Sequence, residues 1–151
     1  MSLPPSESDW QIRQYIYTRL VGTSRAPTIL DIAAHFVMRP AQAQAALRRL
    51  QAAHALVLAE DGAVLMAHPL SAVPTDYRAR IDGHWLYANC AWDSLGIPAM
   101  LGIDVQVEAR HPLSRQPIHF CVDGGQLVGA EGCLVHFAQA FRNWYDDIVE
   151  T

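Results

Sequence analysis

Residues 87–102 read Tyr-Ala-Asn-Cys-Ala-Trp-Asp-Ser-Leu-Gly-Ile-Pro-Ala-Met-Leu-Gly, and they predict a helix with a thiol and a carboxylate near its start. Asn89 is a suitable N-cap, because its side-chain oxygen can accept a hydrogen bond from a free backbone N–H. Cys90 would then be the first helical residue. Asp93 follows three residues later, on the same face of the helix. Gly102 is a suitable residue to end the helix.

The spacing of Cys90 and Asp93 allows two interpretations. A thiol in the first helical turn feels the positive end of the helix dipole, which favours the reactive thiolate. An anionic Asp93 opposes this effect unless it holds the proton that the thiol gives up, in which case the pair is a nucleophile and a proton carrier. The second interpretation is structural, because a lone cysteine on an apolar helix usually fills a core.

Length and composition indicate a globular chain. Its 151 residues are 51% hydrophobic, enough for one domain or for two small ones that share a core. No apolar run could cross a membrane and no signal peptide is visible, so we expect a cytoplasmic protein without a membrane partner. The three cysteines (Cys90, Cys121 and Cys133) form no disulfide framework, which agrees with a reducing compartment.

The charge of the chain is divided unevenly. Residues 1–80 carry eight Arg and six acidic residues, a net charge of +2. Residues 81–151 carry three Arg and nine acidic residues, a net charge of −6, so the total is −4. This balance does not favour binding of a polyanion by the whole chain, although it leaves the first half open to nucleic acid.

Periodicity in the first half predicts three helices and a hairpin. The helices are expected from Asp9 to Leu20 with Ser8 or Asp9 as cap, after the cap Thr28, and from Pro40 to about Ala53; the strands are expected at 56–58 and 64–66, around Gly62. This is the order of a winged helix, whose third helix enters the major groove in DNA-binding members. Arg48 and Arg49 would then contact DNA; alternatively, they are solvated residues near a helix C-terminus.

The second half predicts a small antiparallel sheet. Alternating residues indicate strands at 77–81, 84–87, 105–109, 117–122, 126–128 and 133–137, with the Cys90 helix packed on them, whereas 141–149 is expected to be a loop or a short helix. The predicted fold is therefore α+β. Its parts are a flexible tail (1–8), a winged-helix-like domain (9–67), an extended linker (68–76) and a catalytic or binding domain (77–151).

The run 87–99 resembles the alkylmercury lyase (organomercurial lyase) family. The resemblance includes His68-Pro69-Leu70-Ser71 and the winged-helix-like segment before it, and it covers nearly all of Trp10–Thr151. The segment 144–148 resembles the part of the family that leads to its last catalytic strand. The resemblance implies an alkylmercury-lyase-like fold.

The resemblance also implies roles for two residues. In that family a cysteine and an aspartate with this spacing act with a second cysteine to cleave a carbon–mercury bond, releasing a hydrocarbon and Hg(II). Cys90 would be a mercury-binding thiolate and Asp93 the carboxylate that relays the proton. Hg(II) is soft and prefers thiolate ligands. An enzyme of this type needs no cofactor; mercury is its substrate and product, and a small thiol accepts the released Hg(II).

One departure from the family keeps other functions open. The family's second cysteine would follow residues 144–148, and no cysteine lies there in this sequence. Cys121 and Cys133 are the remaining candidates for a helper thiol. The alternatives to a lyase are a non-catalytic relative that binds a soft metal, Hg(II) or Cu(I), or a thiol-reactive ligand, and a winged-helix transcriptional regulator that uses Arg48 and Arg49.

Overall fold

The structure is a computed structural model that describes residues 4–137, 139–140 and 144. Within these residues the chain forms four helices and eight strands. The helices are α1 (Glu7–Thr23), α2 (Ile29–His35), α3 (Pro40–Ala52) and α4 (Ala91–Leu101). The strands are β1 (Val57–Leu58), β2 (Val64–Ala67), β3 (Leu70–Ser71), β4 (Arg78–Ile81), β5 (His84–Ala88), β6 (Val105–Arg110), β7 (Pro117–Asp123) and β8 (Gln126–Val128). None of the helices in this part of the chain has the length and apolar character that a membrane span requires.

Helix α1 begins earlier than predicted, because Ser6 is its N-cap. The Ser6 hydroxyl accepts a hydrogen bond from the Asp9 backbone N–H at 3.3 Å, and the Asp9 carboxylate accepts one from the Ser6 N–H at 2.7 Å. Helix α2 begins with the same reciprocal arrangement between Thr28 and Asp31, so its predicted cap is confirmed. Both caps satisfy backbone N–H groups that the first helical turn leaves free.

All eight strands belong to one antiparallel sheet with the order β1-β2-β3-β5-β4-β6-β7-β8. The predicted α+β fold, with three helices, a hairpin and a sheet that carries one packed helix, is confirmed. The hairpin and the sheet are nevertheless continuous, because β3 lies inside the predicted linker and pairs with both β2 and β5. The division into two domains and the winged-helix interpretation stay predictions.

The three N-terminal helices and the sheet share one apolar core. Its fully buried members include Ile12, Ile16, Leu20, Ile32, Leu47, Leu50, Leu70, Leu86, Ile97 and Val107. Burial of each such side chain contributes roughly 1.5–3 kcal/mol. Helix α4 packs on the face of the sheet that carries Val107, whereas Gln106 and Glu108 point to the opposite face because strand residues alternate.

The predicted strand at 133–137 is wrong. These residues form no strand, since a turn closed by a hydrogen bond from the Cys133 N–H to the Ala130 carbonyl takes the chain away from the edge strand β8. Gly129 and Gly132, both with positive φ, permit this change of direction. Phe137 then lies beside Trp92 of α4, with 6.1 Å between the ring centroids. The prediction for 141–149 falls outside the described residues, apart from Trp144.

A buried ion pair connects α1 to α3. The Asp9 carboxylate accepts hydrogen bonds from Arg49 Nε at 2.8 Å and Nη2 at 2.7 Å, and the Asp9 side chain is only 2% exposed. Arg48, by contrast, is exposed and makes no ion pair in the described part of the chain. Arg49 therefore has a structural role between two helices, and Arg48 is the freer of the two candidate DNA-contacting residues.

We expect Arg49→Ala to lower the free energy of unfolding by about 2 kcal/mol, because hydrogen bonds to a charged group are each worth roughly 1.5–3 kcal/mol. Arg48→Ala is the matched control and should change it by less than about 0.5 kcal/mol. Urea unfolding at neutral pH measures both variants. Equal losses in the two variants would show that the ion pair adds nothing.

The same pair predicts a pH dependence. Hydrogen bonding to Arg49 holds the pKa of Asp9 below its ordinary value of 3.8. The stabilisation is therefore complete above pH 3.8 and is lost as the pH falls through the lower pKa of the folded state. The difference in stability between the wild type and Arg49→Ala should accordingly shrink in acid.

Helix α4 lies very close to the turn between β2 and β3 at Gly96. A Cβ atom added there would lie 2.9 Å from Cβ of Pro69, inside the distance that two carbon atoms tolerate. The proline ring is rigid, so the helix itself would have to move. The contact fixes the start of α4 beside the segment that joins β2 to β3.

We expect Gly96→Ala to destabilise the fold, although the same change within a helix ordinarily gains about 1 kcal/mol. Overpacking typically costs about 1–3 kcal/mol, which outweighs that gain. Gly22→Ala in α1 is the control, because its added Cβ would meet nothing within 4 Å. Thermal unfolding should give a lower Tm for Gly96→Ala and an unchanged or higher Tm for Gly22→Ala; a higher Tm for both would contradict the contact.

Candidate active site

Helix α4 begins at Ala91 with Cys90 as its N-cap, so the prediction of Asn89 as cap and Cys90 as first helical residue is wrong by one position. The Cys90 carbonyl accepts the first bond of the helix from the Ser94 N–H at 3.1 Å. Asn89 does not cap; it directly follows β5, and its N–H donates to the Pro69 carbonyl at 3.3 Å. Gly102 ends the helix in the left-handed conformation, as predicted.

The thiol of Cys90 and the carboxylate of Asp93 lie at the start of α4. Cys90 is half-buried, and burial raises the pKa of its thiol above the ordinary value of 9.0. The backbone N–H groups of Asp93 and Trp92 lower this pKa, but the Asp93 carboxylate raises it again. The backbone N–H groups at the helix start thus favour the thiolate, but burial outweighs them in the free protein.

Asp93 lies against two residues to which the sequence analysis gave no catalytic role, Asn89 and His68. Its Oδ2 accepts a hydrogen bond from Asn89 Nδ2 at 3.0 Å and lies 3.5 Å from His68 Nδ1. Asn89 Nδ2 in turn lies 3.1 Å from His68 Nδ1. The Asp93 side chain is 17% exposed, so water reaches it only in part. Asn89 could have been found from its position four residues before Asp93; His68 is too distant in sequence for any local signal.

Helix α1 supports the backbone of His68. The Tyr17 hydroxyl donates to the His68 carbonyl at 2.6 Å and accepts a hydrogen bond from Arg13 Nη2 at 2.7 Å. Arg13 also donates through Nε to the Ala55 carbonyl at 3.0 Å. Burial raises the pKa of Tyr17 above its ordinary value of 10.0, which keeps the hydroxyl protonated and able to donate. The first half of the chain thus contributes directly to the surroundings of Asp93.

The two candidate helper thiols lie in different places. Cys121 is on β7 opposite Gln106, on the face of the sheet that points away from α4. Cys133 is exposed and lines a cavity of about 460 Å³ between α4, the inner face of the sheet and the loop 130–136. Ala91 and Leu95 of α4 line the same cavity. Cys133 is therefore on the same side of the sheet as Cys90, and Cys121 is not.

The described residues contain no group of three His, Cys, Asp or Glu side chains that could hold a metal ion. Cys90 and Asp93 are thus a pair, without a third such ligand among those residues. A thiol beside a carboxylate can exchange a proton with it, and a sulfur freed of its proton binds a soft metal. This α+β chain accordingly carries a candidate site of the thiol–carboxylate class at the start of a helix.

Comparison with known proteins identifies the family. The model of the alkylmercury lyase family (MerB) matches residues 70–150, and the chain belongs to that family. The alkylmercury lyases of Bacillus cereus and Clostridium butyricum are each 33% identical to it over 82 residues, which are 54% of this chain and 37% of each relative. The chain thus spans well under half the length of the curated relatives that it matches.

A solved structure supports the fold over a larger part of the chain. The crystal structure of the mercury-bound form of MerB2 superposes with a TM-score of 0.66 and 22% identity, covering 82% of this chain and 60% of that one. The resemblance of residues 87–99 to the alkylmercury lyases is therefore confirmed at the level of family and fold. The roles of Cys90 and Asp93 stay predictions.

We expect Asp93→Asn to lower the pKa of Cys90, because the substitution removes the carboxylate that raises it. The rate of iodoacetamide alkylation against pH reports this pKa in a protein whose only cysteine is Cys90, made by Cys121→Ser and Cys133→Ser. The midpoint should fall in Asp93→Asn. It should stay in place in the control Asp123→Asn, whose carboxylate is exposed at the end of β7; a midpoint that also stays in place in Asp93→Asn would refute the coupling.

Proposed function

We propose that this protein cleaves carbon–mercury bonds by protonolysis, with Cys90 as the mercury-binding thiolate and Asp93 as the proton carrier. The observation that carries this proposal is the placement of the two groups together at the start of α4, inside the residues that match the family. No organic cofactor takes part. The substrate is an organomercurial, and a small thiol is the acceptor for the product Hg(II).

The reaction needs one proton and no change of oxidation state. The Cys90 thiol gives its proton to Asp93 as its sulfur binds the mercury of the organomercurial. The Asp93 carboxylic acid then protonates the carbon atom, the carbon–mercury bond breaks, and its electron pair becomes the new carbon–hydrogen bond. The hydrocarbon leaves, while Hg(II) stays on the Cys90 sulfur. A second thiolate would serve as a further ligand of Hg(II), which prefers sulfur.

Cys133 is the stronger candidate for that second thiolate. It is exposed, lies on the same side of the sheet as α4 and lines the cavity beside it. Cys121 faces the opposite side of the sheet, which makes it a matched control for any effect of losing a thiol.

A second candidate function is capture of a soft metal, Hg(II) or Cu(I), without cleavage. The raised pKa of Cys90 favours it, because a protonated thiol can bind a soft ion without completing a reaction. The regulator hypothesis has less support, since Arg49 is already paired with Asp9.

We expect the purified protein to release benzene from a phenylmercury salt over several turnovers when a small thiol is present in excess. Cys90→Ser should reduce the rate to below about a hundredth of the wild-type rate, since loss of a nucleophile removes most catalysis. Cys121→Ser should leave it unchanged. Gas chromatography of benzene and intact mass of the same sample measure both outcomes.

The mass measurement separates the two candidate functions. If the wild type forms an adduct that keeps the phenyl group and releases no benzene, the result supports soft-metal capture and contradicts carbon–mercury cleavage. Benzene release that survives Cys90→Ser would remove both proposals, because both assign the mercury-binding thiol to Cys90.

A further inference from the structure

We infer that Asn89 and His68 form a clamp that positions Asp93 for proton transfer. The Asn89 side-chain amide donates to Oδ2 of Asp93, and Nδ1 of the His68 ring accepts from the same amide and fixes its orientation. The clamp rests on the proposed function, because positioning matters only if Asp93 carries a proton to the substrate. Both residues act through Asp93 and neither is assigned a contact with the substrate, so both are positioning residues.

The distances around the Asn89 amide nitrogen define the hydrogen bonds of the clamp. Asn89 Nδ2 lies 3.0 Å from Asp93 Oδ2 and 3.1 Å from His68 Nδ1. An amide nitrogen carries two hydrogens, so it can donate one to each partner. The opposite orientation of the amide would set the Asn89 oxygen against the carboxylate oxygen, two acceptors in contact. Asn89 therefore donates to both, and Nδ1 of His68 is the acceptor.

The clamp is fixed at both ends by backbone contacts. The Tyr17 hydroxyl holds the carbonyl of His68 at 2.6 Å, and the Asn89 N–H donates to the Pro69 carbonyl at 3.3 Å. The close contact between Gly96 and Pro69 keeps α4, and with it Asp93, against the same segment. His68 and Asn89 are therefore already fixed in place next to the Asp93 carboxylate.

The clamp also leaves hydrogen bonds unmade. His68 Nε2 and Asn89 Oδ1 are buried and have no hydrogen-bond partner among the described residues. An unmade hydrogen bond on a buried group costs stability, so these two polar side chains are poor choices for packing alone. Their position next to Asp93 points instead to a positioning role. A carboxylate that is hydrogen-bonded through one oxygen rotates less, so its other oxygen keeps a fixed direction.

The first test separates positioning from binding in the cleavage of a phenylmercury salt. We expect Asn89→Ala and His68→Ala to lower kcat about tenfold or more, with KM within about twofold, because mercury is bound by Cys90. His68→Gln keeps an acceptor for Asn89 and should recover most of the loss. His119→Ala, on the opposite face of the sheet, is the control and should match the wild type.

Stability measurements separate positioning from a structural role. Asn89→Ala should lower Tm only slightly, since the loss of its hydrogen bonds is offset by the removal of an oxygen that is buried without a partner. Unchanged kcat in Asn89→Ala, or a loss of kcat that follows a loss of Tm in all the variants, would overturn the clamp.

A second measurement tests the clamp even if the protein releases no benzene. The nitrogen chemical shifts of the His68 ring should show the Nε2–H tautomer with Nδ1 accepting a hydrogen bond, and Asn89→Ala should abolish the shift of Nδ1. A proton on Nδ1 in the wild type would overturn the clamp. Absence of benzene release together with the expected shifts would remove the proposed function but keep the clamp as a property of the site.

Discussion

The contact between Gly96 and Pro69 sets the geometry on which the candidate site depends. Only a residue without a side chain fits at position 96, because a Cβ atom would collide with the proline ring. The contact holds the first turns of α4 beside the segment between β2 and β3. Asp93 thereby meets His68, which comes from a distant part of the sequence.

The short strand β3 connects the N-terminal half of the chain to the sheet that carries α4. It pairs with β2 on one side and β5 on the other, so the hairpin that follows the three N-terminal helices continues into the sheet that carries α4. Tyr17 of α1 then reaches the backbone of His68. The helices of the first half are thus connected to the candidate site through hydrogen bonds as well as through the shared core.

Local signals in the sequence predict most of the elements and part of the site. Thr28, Pro40 and Gly102 mark helix ends correctly, because capping depends on the chemistry of single residues. The pairing of Cys90 with Asp93 follows from helical spacing. The contact of His68 with Asp93 could not be predicted, since only the register of β3 against β5 brings the two residues together. The pKa of Cys90 also depended on burial, which a sequence pattern does not report.

The strand expected at 133–137 shows the limit of alternation as a signal. Alternating apolar residues fit a strand only if a neighbouring strand offers free backbone groups and the preceding turn leads towards it. Here β8 is three residues long and exposed, and the turn after Ala130 leads instead towards α4. The apolar residues of this segment therefore border a cavity, and Cys133 comes to lie near the helix by a path that no local pattern specifies.

The raised pKa of Cys90 gives the thiol chemical selectivity. Peroxides and most alkylating agents react with the thiolate, so a thiol that keeps its proton at neutral pH is protected from them. Soft metal ions bind sulfur strongly enough to displace that proton. A thiol kept protonated by burial beside a carboxylate thus reacts more slowly with oxidants than an exposed thiol, whereas soft metal ions can still displace its proton.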